Sequence, residues 1–379
     1  MTGNRVQEVG VRVTWDQVFA WRLRQQFVAP RGEGDAVTVA ERLCGVQAQV
    51  SSAAETAVAL RHSSAGPGAV AAALADGRLI KTWAMRGTLH ALTPEFAAAA
   101  LSLLAAARTW EKPSWQKNFG ASPAEVAALG EAIGEVLDGR VLTRAELVEA
   151  LLREPRFHRM GEELRSGWGA LLKPLAWQGI LCHGPVRGAN ITFAAPARLL
   201  PGWPGLADPE TAGPRVVSAY LRAFGPATPE AFGAWLMRGA HRKSLLRQWF
   251  SDLGGDLIEV DVDGRAAYLH AADADALAAT APTGSVRLLG PFDQYILAPG
   301  TNDTALLPAA HRAKVSRTAG WISPLVLTGG RITGTWELAD GVLTVAMFDG
   351  GAVDEDALRA EAAHVARATG RSVLEVVVQ

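Results

Sequence analysis

The stretch Cys44-Gly45-Val46-Gln47-Ala48-Gln49-Val50-Ser51-Ser52 sets two glutamines around one small apolar residue, at the end of an amphipathic helical segment. A carboxamide accepts and donates hydrogen bonds but cannot keep a proton. The chemistry open to such a pair is therefore to hold a water or a polar group in place, not to act as a strong base. At i and i+2 the two side chains do not share a helical face, but in a loop or frayed turn both can point into one cleft. The residues alone leave two readings open: a pair facing a cleft, or the polar end of a helix. Other catalytic signatures are missing. The chain has no Walker loop, no HExxH, no GxSxG, and no GxGxxG between a strand and a helix. Its two cysteines, Cys44 and Cys182, cannot by themselves form a disulfide framework or a zinc site. Neither a metalloenzyme nor a nucleotide hydrolase is expected, and no cofactor.

The elements that must carry these glutamines are marked by caps. Thr14-Trp15-Asp16-Gln17, Thr38-Val39-Ala40-Glu41 and Thr143-Arg144-Ala145-Glu146 fit the capping box, and Thr228-Pro229-Glu230 pairs a Thr cap with Pro at the first helical position. Helical periodicity follows in Val39, Leu43 and Val46, in Leu147, Leu151 and Leu152, and in Phe232, Leu236 and Met237. Three times such a stretch runs into two extended segments joined by a glycine-containing turn: LIKTWAMRGTLHAL, GILCHGPVRGANITFAA and LIEVDVDGRAAYLHA. Asp263-Gly264 in the last is a strong hairpin signal. The turns recur at roughly 80 to 100 residues, longer than solenoid periods. Helices followed by a two-stranded hairpin describe the winged helix, in which the helix before the hairpin reads DNA. In the second unit that helix is expected over 167–179, bent by Pro174 and ended by Gly179, with Trp168 and Trp177 in the core.

From about Gly284 the character changes. GSVRLLGPFDQYILAP, SPLVLTGGRITGTWEL and GVLTVAMFD read as strands, with a turn at Asp340-Gly341, a helix from about Asp354 to Thr369 and a last strand in SVLEVVVQ. The expected class is α+β: three tandem winged-helix units over 1–120, 121–210 and 211–283, then a small β-rich C-terminal domain over 284–379 that packs on the third unit.

Composition bounds the function without naming it. The chain has 379 residues, 49% hydrophobic and 20% charged, with a net charge of −1. It is long enough for two or three packed units. No apolar run approaches the ~20 residues of a bilayer span, and MTGNRVQEVGVRVTW lacks a charged segment followed by an apolar run. A cytoplasmic, membrane-free monomer is expected. Net charge near zero bounds only the average field, and a local basic face can still bind DNA. Basic residues cluster at Arg153, Arg156, His158 and Arg159, at Arg238, His241, Arg242, Lys243 and Arg247, and at His311, Arg312, Lys314 and Arg317. Solvated helix faces would look the same.

LCGVQAQVSS followed by TWAMRGTLHAL closely resembles the AlkZ/YcaQ-like family of winged-helix DNA glycosylases. LLKPLAWQGILCHGP, ITFAAPARLLPGW, FDQYILAPG and GGRITGTW match further along, so the resemblance runs from about Thr14 to Val377. In that family a Gln–apolar–Gln or Gln–apolar–Asp motif lies in the catalytic cleft. It falls here on Gln47, Ala48 and Gln49, and Gln at the second position resembles the AlkZ branch, which acts on alkylpurine adducts and interstrand crosslinks. The implied partner is double-stranded DNA with alkylated purines. A purine alkylated at N7 or N3 is cationic and leaves as a neutral base, so little general-acid help is needed. Carboxamide oxygens can then hold a water against C1′ and face the positive sugar.

Around this motif, Arg86, Thr88 and His90 alternate along the first wing and are expected on one strand face, where they would touch DNA or buttress the glutamines. Arg312, Lys314 and Arg317 form a basic loop suited to a DNA groove. Lys81 and Lys314 are the lysines near such segments, and neither is an evident Schiff-base nucleophile. Asp293, polar within an apolar strand, is expected to make structural hydrogen bonds. A non-enzymatic regulator or damage sensor is the alternative, although three unlike units argue against the two-fold symmetry of a regulator.

Overall fold

The computed structural model describes residues 11–64 and 66–379. Most of the N-terminal stretch expected to carry no leader lies outside the described residues. Strand β1 (Arg12–Val13) leads into α1 (Trp15–Gln25), where the Thr14 hydroxyl accepts from the Gln17 amide at 3.3 Å and the Gln17 side chain accepts from the Thr14 amide at 3.0 Å. The boxes at Thr14 and Thr143 form as expected. The one expected at Thr38 does not. Asp35 accepts from the Thr38 amide at 3.0 Å, so α2 (Ala36–Arg42) starts earlier. A carboxylate is the better acceptor at a helix's positive end.

The same order of elements then returns three times. After α2 come β2 (Val46–Gln47), α3 (Ser51–Ala59), α4 (Ala69–Ala75) and the hairpin β3 (Ile80–Trp83) with β4 (Leu89–Leu92); β2 pairs with β4. Helix α5 (Pro94–Ala106) follows. Next come helix Pro123–Leu137, β5 (Leu142–Thr143), helices Arg144–Leu151, Gly161–Arg165 and Lys173–Trp177, and the hairpin β6 (Cys182–Arg187) with β7 (Asn190–Ala194); β5 pairs with β7. Last are helix Pro209–Phe224, helices Pro229–Met237 and Lys243–Ser251, and the hairpin β8 (Leu257–Val262) with β9 (Arg265–His270), where Ala227 bridges Tyr268 in place of a short strand.

The first two hairpins fuse into one six-stranded sheet, β2-β4-β3-β6-β7-β5, through the pair Lys81 and His183. The third is joined by β1, which runs parallel to β8. Helix α1 buries Val18 and Trp21 against Val260, Val262 and Leu269 of that hairpin.

Two expectations for the second unit are corrected. Pro174 does not bend a long helix; it stands in the first turn of the short helix Lys173–Trp177, where its missing N–H is harmless. Trp177 is buried, but Trp168 is 71% exposed. Gly169, at φ +66, brings the backbone flat against Trp83, where a Cβ would lie 2.6 Å from the ring, and Trp168 projects outward.

The C-terminal sheet has the order β10 (Val286–Leu289), β11 (Leu325–Thr328), β12 (Arg331–Ala339), β13 (Val342–Met347), β14 (Glu375–Val378), with helix Glu355–Thr369 between the last two. The strand expected through FDQYILAP ends at Leu289, and Asp293 caps a short helix, Gln294–Leu297, instead. Ala298 joins the core of Val216, Val217 and Tyr220, and the sheet also packs on the first helices. Phe19 and Leu23 of α1 join Tyr295, Leu325 and Leu327, and Ala59 and Leu60 at the end of α3 join Leu288 and Val326. Helix α1 is apolar on two sides and so sits between the C-terminal sheet and the third hairpin. A fully buried ion pair seals the α3 contact: Arg61 holds both carboxylate oxygens of Asp293, at 2.6 and 2.7 Å. Asp293 is thus structural, as expected. Among the described residues no helix is long and apolar enough to cross a membrane.

Candidate active site

The glutamines are set by the turn before them. After α2, Cys44 and Gly45 both take positive φ, 54° and 96°. A Cβ on Gly45 would lie 2.3 Å from Leu92 Cδ2, so only glycine lets the chain pass this close to β4. The chain emerges extended. Gln47 is therefore on a strand at the edge of the six-stranded sheet, not on a helix end, and its register partner is His90. The Ala48 amide donates to Leu89 O at 2.7 Å. Gln49 lies just beyond, exposed, with its Oε1 accepting from the Leu89 amide at 3.4 Å. Both glutamines thus abut the first half of β4.

Their states differ. Because the Leu89 amide can only donate, Gln49 must turn its oxygen inward. Gln47 is only 8% exposed and makes no side-chain hydrogen bond with another described residue. Register places Gln47, His90 and Thr82 in one cross-strand row, with side chains on one face. His90 is fully buried; its Nδ1–H donates to Thr88 O at 3.0 Å, and Nε2 has no protein partner, nor does Thr82 Oγ1. Burial, and then the nearby Arg86 charge, push the His90 pKa down to about 3, so the imidazole is neutral.

The expectation of one shared strand face for Arg86, Thr88 and His90 is corrected. Arg86 is in the turn Met85–Gly87, at φ 58°, where alternation does not apply. Its Nη1 donates to Trp235 O at 3.3 Å, Nη2 is buried without a partner, and burial followed by the Arg238 charge lowers its pKa to about 10. The Thr88 hydroxyl turns inward to Met85 O at 3.2 Å. His90, with no exposed surface, stands behind Gln47 and has nothing to offer a DNA strand.

Just past Gln49, α3 begins without a side-chain cap, because Val50 cannot supply one. Lys81 Nζ donates to Ser51 Oγ at 3.2 Å there, and burial lowers its pKa. A cation at a helix's positive end favours an anion beside it.

Arg312, Lys314 and Arg317 are all exposed. Lys314 and Arg317, with Trp321, line a groove of about 1000 Å³ whose lining also includes Ser52 in the first turn of α3. The structure thereby brings two of the three to a groove reaching the segment that follows Gln49. Arg312 does not line it and donates from Nε to Thr301 Oγ1 at 3.2 Å. Sequence reasoning did not single out Ser51, Thr82 or Trp321; only the pairing of β2, β3 and β4 and the packing of α3 give them their place. Among the described residues no cluster of three or more His, Cys, Asp or Glu could hold a metal. Both cysteines are buried, and burial raises the Cys44 pKa and pushes that of Cys182 up to about 12, leaving inert thiols.

Comparison with known proteins points one way. The family described as DNA glycosylase AlkZ-like matches residues 40–368. The interstrand DNA cross-link repair glycosylase of Streptomyces sahachiroi is 51% identical over 368 residues, spanning 97% of this chain and 99% of that protein. The solved structure of the Streptomyces sahachiroi DNA glycosylase AlkZ superposes with a TM-score of 0.94, at 51% identity, over 97% of this chain and 100% of the other.

Proposed function

The chain belongs to the AlkZ-like DNA glycosylase family, and we propose that it hydrolyses the N-glycosidic bond of N7-alkylated purines in duplex DNA, with Gln47 and Gln49 holding the attacking water. The observation that carries this reading is the Gln47 carboxamide, nine-tenths buried and without a side-chain partner, beside a Gln49 that is tethered to Leu89. The Gln47 carboxamide atoms are not sealed from solvent, so a partly enclosed water can complete their hydrogen bonds.

In this mechanism the Gln47 oxygen accepts a hydrogen of the water and aims its lone pair at C1′. As the C1′–N9 bond breaks, its electrons neutralise the cationic purine, which leaves uncharged. The sugar takes oxocarbenium character, and the oxygen end of the Gln47 carboxamide dipole faces that positive charge. The water's oxygen bonds to C1′ and its surplus proton passes to solvent, because neither glutamine can keep it. Neutral, undamaged bases are therefore poor substrates.

The thrice-repeated order of helices and hairpin supports reading 1–120, 121–210 and 211–283 as winged-helix units and 284–379 as the β-rich C-terminal domain. The fusion of the first two hairpins supports an open, shared DNA face, and we extend the substrate range to bulky adducts and interstrand crosslinks. A crosslink ties its base to the opposite strand, so that base cannot be swung fully into a deep pocket. Lys314 and Arg317 are read as phosphate contacts along the groove. The test is base release from duplexes carrying one N7-methylguanine or one bulky N7 adduct, read as alkali-labile abasic sites. Release from either supports the assignment; binding without release from both would favour a damage sensor.

A further inference from the structure

The wing turn that carries Arg86 meets both other repeats. Arg86 donates to Trp235 O of helix Pro229–Met237, whose following residue after its end is Arg238. A Cβ on the neighbouring Gly87 would touch Lys173 Cδ at 3.8 Å, and Lys173 Nζ lies 4.7 Å from the centroid of the exposed Trp168 ring. Three cations, one from each repeat, thus converge. None of the three has a carboxylate within 4.0 Å among the described residues, whereas Arg31, Arg61 and Arg287 each do. Their mutual repulsion is visible in Arg238 disfavouring the protonated forms of both Arg86 and Lys173, after burial.

The local backbone is also held in costly forms. Arg86 and Arg238 both adopt positive φ, at 58° and 51°, in turns where glycine would fit without strain. The Arg86 Nη2 atom is buried and unpaired. Trp168 is the most exposed tryptophan, and its neighbour Gly169 lies on Trp83. Accessible positive charge without a carboxylate, on Lys173 and Arg238, beside an exposed aromatic face has one chemical complement: a phosphodiester with a base beside it.

We propose that Lys173 and Arg238, brought together around the buried Arg86 and rimmed by Trp168, form a second DNA subsite that holds one backbone phosphate and stacks an unstacked base on the Trp168 ring. It rests on the glycosylase reading only in taking its occupant to be DNA. The subsite gives the enzyme a hold on distorted duplex that is separate from the glutamines: the cations grip the backbone, and the ring rewards a base already free of its stack.

The test uses the full chain with a fluorescein-labelled duplex containing one tetrahydrofuran abasic analogue, and the same duplex intact, titrated across salt concentrations. For Lys173→Gln/Arg238→Gln, the slope of log affinity against log salt should fall by about 1, the loss of one phosphate contact. For Trp168→Ala the slope should hold, while affinity for the abasic duplex falls about fivefold or more and that for the intact duplex falls less. Neither variant should lower the melting temperature, because the double substitution relieves repulsion and Trp168 is exposed. Wild-type slopes and affinities in both variants, with a wild type that binds DNA and releases base, would overturn the junction alone. A wild type that binds neither duplex would overturn the junction together with the glycosylase reading.

Discussion

Gln47 and His90 are register partners on adjacent antiparallel strands, one a carboxamide without a side-chain partner, the other a fully buried imidazole held neutral with its proton on Nδ1. The group behind the proposed water-holding glutamine therefore carries no charge in the physiological range, and the glutamines have none to lose. Base release from a pre-cationic purine should be flat in rate between about pH 6 and 8, measured under single turnover with DNA saturating. A bell-shaped or sigmoidal profile centred near 6.5, the ordinary histidine value, would place a titrating histidine in the reaction.

The same burial ties stability to acid. His90 and His183 both have folded-state pKa values pushed down to about 3, chiefly by burial. A depressed histidine pKa means that the unfolded chain binds protons which the folded one does not. The stability contribution is complete above the unfolded value near 6.5 and is lost as pH falls towards 3. Each histidine should add a slope of up to about 1.4 kcal/mol per pH unit across that window. Urea melts at pH 7, 5.5 and 4.5 read it, and His183→Asn should flatten the curve by one such increment.

Gly45 should matter more than a glycine of similar φ elsewhere. Gly68, at φ +103, has nothing within 4 Å of a built Cβ, whereas Gly45 meets Leu92 at 2.3 Å. Gly68→Ala should cost only the left-handed strain of about 1–2 kcal/mol. Gly45→Ala should cost more, by thermal melts, and should also slow base release, because it displaces the strand that carries Gln47. Equal costs would mean that the approach to β4 is not tight.

Breaking the buried pair tests how α3 is anchored. Asp293→Ala leaves the Arg61 guanidinium buried without its carboxylate and should destabilise by about 3–5 kcal/mol. Arg61→Met/Asp293→Leu should recover most of the loss in chemical denaturation. If the double variant is as unstable as the single, the pair does more than compensate its own charges.

The groove cations divide by position. Lys314→Gln and Arg317→Gln should each lower the salt slope of duplex binding by about 0.9, and Arg312→Gln, outside the groove, by less. Equal effects from all three would mean that DNA runs across the whole basic segment.

Local chemistry was the legible part of this chain. Caps at Thr14, Thr143 and Thr228 and the turn at Asp263-Gly264 follow from residues a few positions apart, and each is where the sequence places it. The glutamine pair was legible as residues, but its backbone was not: a two-residue strand has no period, and β2 exists only because β4, some forty residues on, offers it a ladder. The parallel pairing of Arg12 with Asp261, the fusion at Lys81 and His183, and the seat of the C-terminal sheet on α1 and α3 are likewise long-range contacts without a local signal. Trp168 defeated the default that tryptophan is buried, and the cause lies in its neighbour, where only glycine fits against Trp83.

The most direct test of the central claim is single-turnover base release from an N7-alkylguanine duplex by wild type, Gln47→Ala and Gln49→Ala, with DNA affinity measured alongside. Removing either carboxamide should cost on the order of 10² in rate, the scale set by losing one preorganised polar contact to a transition state, while DNA binding persists. Rates within twofold of wild type in both variants, at equal DNA occupancy, would contradict the assignment of the water to Gln47 and Gln49.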